Sequence, residues 1–160
     1  MTRAEDDLEV VRAEAVERAV DALRNSGFLA PFAITLRSDN TLLSHEVDAA
    51  AGAEPATIRD ILSRAVRLGA GSTLPVRAVA LVRDVIVQNL LKDGSSRAVC
   101  VSLEHTEGLA KRYFVPYRGS AKRLSLGEAR LVPDVRWFFD GEAAERPDAA
   151  DGAGKLERRR

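Results

Sequence analysis

The sequence predicts an α+β domain in which a mainly antiparallel sheet carries two helices on one face. Two segments place apolar residues at spacings of three and four, as in helices that pack one side against a core. Several shorter segments alternate apolar and polar residues, as in strands. Because tight turns join most of these strands, we expect hairpins and a meander, in the order helix, two strands, helix, three or four strands.

The first helix is predicted over about residues 4–26. Thr2 and Glu5 have the spacing of a capping box, in which each side chain satisfies a backbone N–H of the other residue. Gly27 suits the left-handed position at which helices commonly end. The apolar stripe between these two ends consists of Leu8, Val11, Ala15, Ala19 and Leu23.

A hairpin is predicted after this helix. Apolar residues alternate from Phe32 to Leu36, and Ser38-Asp39-Asn40 supplies residues that tolerate the positive φ of a tight turn. The returning strand covers Leu43 to Val47. A second helix is then predicted from Glu54-Pro55 to Leu68, because proline is favoured at the first helical position.

The remaining segments read as strands. Residues 76–87 are rich in β-branched side chains, but two arginines interrupt their alternation, which favours a twist, bulge or edge near Asp84. Strands around residues 98–103 and 109–117 are joined by a short turn at 106–108. Pro116 lacks an N–H, so we expect an edge or an end of pairing there. One or two weaker strands follow before Phe139.

Length and composition limit the class of protein. With 160 residues, 46% of them hydrophobic, the chain fits one domain, which we assign to residues 1–139. Residues 140–160 are polar and are expected to form a disordered tail. No segment approaches the roughly 18 apolar residues of a membrane span, and the acidic start does not resemble an export signal. We therefore expect a cytoplasmic protein without membrane contact, and the many arginines and alanines suggest a GC-rich bacterial genome.

The formal net charge of zero conceals two unlike halves. Residues 1–60 carry 6 basic and 12 acidic side chains, whereas residues 61–139 carry 13 basic and 6 acidic ones. Neutrality argues against a protein that coats nucleic acid or an anionic membrane. The separation of charge favours head-to-tail or self-complementary contacts between copies of the chain.

No catalytic motif is recognisable. A single cysteine, Cys100, excludes an internal disulfide framework and a multi-cysteine zinc site, and we expect it to be a small buried residue. His45 and His105 lack a spaced carboxylate motif, so neither a metal nor a cofactor is predicted. The sequence lacks nucleophile-elbow, Walker A and dinucleotide-binding patterns. These observations lean away from an enzyme.

The most suggestive polar cluster combines His105, Tyr113, Tyr117 and Arg118. His105 ends an apolar alternation, where an imidazole either caps the hydrophobic face or acts as a general base. Tyr113 and Tyr117 share a strand face, and the guanidinium of Arg118 could bind an anion. A shared pocket would make these residues a small-ligand or enzyme site; the alternative is core packing with exposed hydroxyls.

Basic residues are concentrated late in the chain, near Trp137 and the tyrosines. They are Lys111, Arg112, Arg118, Lys122, Arg123, Arg130 and Arg136. Such a mixture can bind single-stranded nucleic acid through phosphate contacts and stacking. Because Glu128 and Asp134 interleave, and because arginines often cover an exposed sheet face, nucleic-acid binding is the less favoured interpretation.

Three strings resemble a group of small bacterial α+β proteins of uncharacterised function. They are GFLAPFA at 27–33, RAVCVSLEH at 97–105 and FVPY at 114–117, and the resemblance covers about residues 5–139. The order of elements is also similar to that of roadblock-type and profilin-like domains, which present a sheet edge or a helix pair to partners. These resemblances imply no reaction and no functional residues. We therefore expect a non-catalytic protein-interaction or dimerisation domain that forms a homodimer and recognises a protein partner through a sheet edge or a helix face.

Overall fold

The computed structural model describes residues 2–46, 60, 64, 75–86, 97–134 and 138–139. These residues form an α+β structure with one helix and a seven-stranded antiparallel sheet, which confirms the predicted class. The predicted second helix lies outside the described residues, apart from Asp60 and Arg64, whose backbones are helical and whose side chains are exposed. The predicted tail at 140–160 also lies outside them, and the two-helix analogy to roadblock-type and profilin-like domains is not confirmed.

The sheet has the strand order β2-β1-β3-β4-β5-β6, and β7 also pairs with β5. The helix is α1 (Arg3–Ser26), and the strands are β1 (Phe32–Arg37), β2 (Leu42–Glu46), β3 (Val76–Ile86), β4 (Arg97–His105), β5 (Ala110–Arg118), β6 (Ser125–Leu126) and β7 (Arg130–Pro133). A single 3-10 turn, Ala121–Arg123, connects β5 to β6. No helix in the described ranges is long and apolar enough to cross a membrane.

Both ends of α1 match their predicted caps. The Glu5 N–H donates to Thr2 Oγ1 at 3.2 Å, and the Thr2 N–H donates to Glu5 Oε2 at 2.8 Å. At the other end Gly27 has a φ of +73°, and its N–H donates to the Leu23 carbonyl at 3.0 Å. A Cβ at this glycine would also lie 3.3 Å from Ser120 Cβ, so both conformation and space favour glycine.

The helix packs on one face of the sheet, where small side chains allow a close approach. Ala15 and Ala19 of α1 belong to the same buried cluster as Ala78 and Ala80 of β3. The rest of this cluster is supplied by larger residues such as Leu8, Val11, Leu23, Ile34, Val82, Val99, Val101 and Leu103. The opposite face is also buried but mixes apolar residues with Thr35, Arg83, Ser102, Glu104 and Arg112. Cys100 is fully buried on that face, as predicted.

The predicted tight turn between β1 and β2 is present. Asn40 adopts a φ of +69°, and the Thr41 N–H donates to Asp39 Oδ1 at 3.0 Å. Asparagine tolerates this backbone conformation better than most residues, which explains why the turn forms here.

The irregularity expected near Asp84 is an edge and not a bulge: among the described residues the pairing of β3 with β1 ends at Val82, so Asp84 has a neighbouring strand only on the β4 side, and the register shift of β3 lies elsewhere. The pairing of β3 with β4 is regular from Ala78 to Ile86. The shift occurs at the start of β3, where Leu36 pairs with Ala78 but Arg37 pairs with Val76, so that Arg77 is an extra residue. A bulge re-aims the side chain that it carries, and Arg77 consequently reaches the helix side of the sheet.

Pro116 lies at a change of neighbouring strand, as its missing N–H predicted. On this side of β5, β7 pairs with residues 111–114, and β6 pairs only with Tyr117 and Arg118. The Pro116 carbonyl accepts a hydrogen bond from the Gly127 N–H at 2.8 Å. The proline is therefore placed where no ladder donor is required.

Candidate interaction surface

A buried polar cluster joins the start of α1 to the neighbouring ends of β3 and β4. Asp7 accepts hydrogen bonds from Arg77 Nε and Nη2 at 2.8 and 3.0 Å. Arg77 also donates to the carbonyls of Arg37 and Ser38 and to Asn40 Oδ1. The hydrogen bonds from Arg77, with a smaller contribution from His105, hold the pKa of Asp7 below its ordinary value. This cluster fixes one end of the helix to the sheet.

His105 completes this cluster from the end of β4. Its Nδ1 accepts the Glu107 N–H at 3.0 Å, so its proton lies on Nε2 and is donated to Asp7 Oδ2 at 2.8 Å. The residue is only 1% exposed. Since both ring nitrogens are engaged, the imidazole acts here as a structural link between helix and sheet.

A second polar cluster lies at the other end of β4. The Tyr117 hydroxyl donates to Asp84 Oδ1 at 2.7 Å and accepts from Arg97 Nε at 3.0 Å. Burial, reinforced by the hydrogen bond to Asp84, raises the pKa of Tyr117 to about 12. β4 begins at Arg97 and ends at His105, and the eight residue-to-residue steps between them span roughly 26 Å. The two polar clusters are therefore well separated.

The four residues predicted as a polar cluster are spread along this distance. Tyr113 lies between the two ends, and the Arg12 guanidinium carbon is 4.8 Å from its ring centroid. Arg118 is exposed at the end of β5, beyond Tyr117. His105, Tyr113 and Tyr117 thus share one face of the sheet without surrounding a common point. Ligand binding by these residues stays a prediction.

Glu104 faces the opposite side of the sheet from His105, as expected for neighbouring strand residues. Its Oε2 accepts the backbone N–H groups of Phe138 and Phe139 at 2.9 and 2.5 Å. On the same face, Arg112 donates to both carboxylate oxygens of Asp134 at 3.2 Å. These contacts hold Asp134, directly after β7, and residues 138–139 against the sheet.

The outer part of β5, β6 and β7 forms an exposed apolar and basic surface, here named the β5–β7 margin. It consists of the exposed Leu126, Leu131, Lys122 and Arg123 and the half-buried Lys111. Leu126 pairs with Tyr117 and Leu131 with Tyr113, so both leucines lie on the face that carries α1. They are 42% and 49% exposed, respectively.

The outward side of α1 has the complementary character and is here named the acidic face of α1. It consists of Asp6, Val10, Glu17 and Asp21, with the exposed Arg3 and Arg24 at its two ends, and Val10 is 46% exposed. Its three carboxylates form no ion pair with other described residues. Elsewhere on the helix, Glu9 is paired with Arg12 and Glu14 with Arg18.

In the part of the chain that the structure describes, no group of three or more histidine, cysteine or carboxylate side chains is arranged to hold a metal ion.

Comparisons of the chain with protein-family models, curated proteins and solved structures found no match. The resemblance to small bacterial α+β proteins therefore stays an expectation.

Sequence reasoning missed the partners that matter most in these clusters. No tertiary partner was predicted for Asp7, and Asp84 was interpreted only as the site of an irregularity. Arg77 gave a usable signal, since a cation within an apolar strand needs a partner. Leu126 and Leu131 gave none, because single leucines in weak strands are ordinary sequence features.

Proposed function

We propose that this chain is a non-catalytic protein-interaction domain that works as a cytoplasmic homodimer. The observation that carries this proposal is the exposure of Leu126 and Leu131 on two short strands at the edge of the sheet. Edge strands in folded proteins are normally protected by charge, bulges or cover, because unpaired edges invite association. Two half-exposed leucines at such an edge favour a surface that another chain covers.

Burial of these side chains supplies a driving force of useful size. Fully burying a leucine contributes about 1.5–3 kcal/mol, so the two half-exposed residues of each copy offer roughly that amount together. A two-fold dimer buries the same surface twice and so doubles this contribution. Neighbouring polar contacts would then select the partner.

The distribution of charge supports a second copy as the partner. The chain is neutral overall, yet its first 60 residues are acidic and residues 61–139 are basic. A neutral chain with separated charge attracts its own copies without accumulating net repulsion. A strongly basic or strongly acidic partner would have no comparable advantage.

Nucleic-acid binding is the competing use of the basic margin. Tyr113, which could stack on a base, already carries the Arg12 guanidinium over its ring and is partly buried. The basic residues of the margin also lie next to the exposed Leu126 and Leu131. Recognition of phosphate groups does not require exposed leucines. We therefore favour a protein partner, and we treat nucleic acid as an outcome of the test.

The proposal is tested by sedimentation equilibrium of the full chain at several concentrations. We expect a dimer that becomes monomeric in a Leu126→Ser/Leu131→Ser variant. Ile86→Ser is the matched control, because Ile86 is 38% exposed on β3, three strands away from Leu126. It should leave the dimer intact.

Two results would overturn the proposal. One is a monomer at every concentration, and the other is a dimer that the double serine variant does not weaken. Fluorescence anisotropy with a labelled single-stranded oligonucleotide runs in parallel. Tight binding that falls steeply with salt and is lost in a Lys122→Glu/Arg123→Glu variant would replace the protein partner with nucleic acid.

A further inference from the structure

We infer that the dimer forms by reciprocal docking, in which the acidic face of α1 of each copy lies on the β5–β7 margin of the other. The inference rests on the proposed function and specifies the interface. Each of the two surfaces has an apolar part surrounded by charge: Val10 with three carboxylates on α1, and two leucines with three cations on the margin.

Most of the charges on these two surfaces are available for a partner. Asp6, Glu17 and Asp21 form no ion pair with the described residues, whereas Glu9 and Glu14 are neutralised within the helix. Lys122 and Arg123 likewise form no ion pair with described residues. Opposite charges left unpaired on two exposed surfaces of one chain are complementary between two copies.

The placement of the two surfaces suits a two-fold axis. Both lie on the same side of the sheet, since the margin leucines pair with Tyr117 and Tyr113 on the helix-bearing face. The C-terminal half of α1 also approaches the turn that carries Lys122, as the 3.3 Å separation between a Gly27 Cβ and Ser120 shows. A rotation of 180° therefore brings each surface of one copy against the other surface of its partner.

The lengths of the two surfaces agree. Tyr113 and Tyr117 are four strand residues apart, so Leu131 and Leu126 are separated by roughly 13 Å along β5. Val10 and Glu17 are seven helical residues apart, or about 10 Å along α1. Two turns of α1 in one copy consequently span the two leucines of the other copy. Asp21 then lies toward the turn of that other copy that carries Lys122 and Arg123.

Charge exchange between the two surfaces tests the inference. The helix variant is Glu17→Arg/Asp21→Arg, and the margin variant is Lys122→Glu/Arg123→Glu. In either variant alone, both contacts of the dimer face like charges, so we expect its Kd to rise at least about tenfold at low salt. In an equimolar mixture the two variants form a heterodimer in which both contacts are again complementary, and the Kd should return to within about threefold of the original.

The control is Glu46→Arg, a charge reversal on β2 at the far side of the sheet, which should leave the Kd within about threefold. Circular dichroism establishes that each variant is folded, and single substitutions at Asp21 and Lys122 replace any pair that is not. A dimer that neither variant weakens overturns the reciprocal interface while leaving the homodimer standing. Variants that weaken the dimer but do not rescue each other also overturn it. A monomeric original protein overturns the proposed function itself.

Discussion

The carboxylate of Asp7 accepts a hydrogen bond from His105 across 2.8 Å, although the two residues are 98 positions apart in the chain. Arg77 occupies the other side of the same carboxylate. One acidic group thus links the N-terminal part of α1 to the beginning of β3 and the end of β4. The hydrogen bonds of the Asp7 carboxylate therefore help to hold α1 on the sheet, although the outer face of this helix is highly charged.

Replacing Asp7 with asparagine should destabilise the protein by about 3 kcal/mol, because it leaves Arg77 in a partly buried place without its counter-charge. Urea denaturation at neutral pH measures the change. Glu46, exposed at the end of β2 and outside the proposed interface, supplies the control, since Glu46→Gln removes only a solvated charge and should cost below about 1 kcal/mol. Equal effects of the two variants would contradict the structural role of Asp7.

The same cluster predicts a dependence of stability on acid. The pKa of Asp7 is lowered in the folded state, first by Arg77 and then by His105. Its contribution is therefore complete above the ordinary aspartate pKa of 3.8 and is lost as the pH falls further. In Asp7→Asn, the free energy of unfolding should decline less steeply below that value. A slope identical to that of the original protein would refute this prediction.

His45 should make the free energy of unfolding depend on pH between neutral and mildly acidic conditions. Burial, together with the charge of Arg37, lowers the pKa of His45 from 6.5, and its Nε2 lies 3.1 Å from Thr35 Oγ1. The neutral imidazole is favoured in the folded state, so stability is full above pH 6.5 and decreases as the unfolded chain takes up a proton below it. In His45→Gln, the difference in unfolding free energy between neutral and mildly acidic pH should shrink. An unchanged difference would show that His45 does not contribute.

Tyr117 should remain protonated far into the alkaline range. Its pKa is raised from 10.0 to about 12 by burial and by Asp84, so the folded state favours the neutral phenol. Stability that Tyr117 provides is complete below the ordinary pKa and is lost as the pH rises toward 12. Ultraviolet absorbance of the phenolate should show a late transition that Tyr117→Phe removes. If the late transition persists in the variant, it does not come from Tyr117, and the prediction is wrong.

The pair of Arg112 and Asp134 should control how firmly β7 is attached. Both side chains are at least nine-tenths buried, so Asp134→Asn leaves a buried cation and should cost about 3 kcal/mol. Hydrogen exchange of the backbone amides of β7 should accelerate more than that of β3, because the loss is local. Glu128→Gln is the exposed control and should change exchange little. Uniform acceleration throughout the sheet would indicate a global effect instead.

Local chemistry made several parts of the fold predictable. The capping box of Thr2 and Glu5, the left-handed Gly27 and the turn at Asn40 each depend on residues within four positions of one another. Pro116 likewise lacks a backbone N–H in any structural context, so its effect on strand pairing can be predicted from the sequence. Such features are encoded in short segments, so the sequence predicts them well.

Contacts between distant segments were not predictable in the same way. The alternation of residues 76–87 indicated only that arginines interrupt an apolar strand face; a one-residue bulge then brings Arg77 to Asp7. The grouping of His105, Tyr113 and Tyr117 followed from a shared strand face, yet strand length separates the two ends of the group. Register and distance along a sheet depend on all the strands that pair, not on one of them.

The sequence by itself determined the α+β class, the ends of α1 and most strands, because periodicity, caps and turns arise from neighbouring residues. Only the tertiary structure decided which polar side chains are used internally and which apolar ones remain exposed. Asp7 and His105 form a hydrogen bond because the start of α1 lies beside the neighbouring ends of β3 and β4. Leu126 and Leu131 are exposed because their strands lie at the edge of the sheet. Burial depends on the whole assembly of elements, so the interaction surface appears only once they are packed.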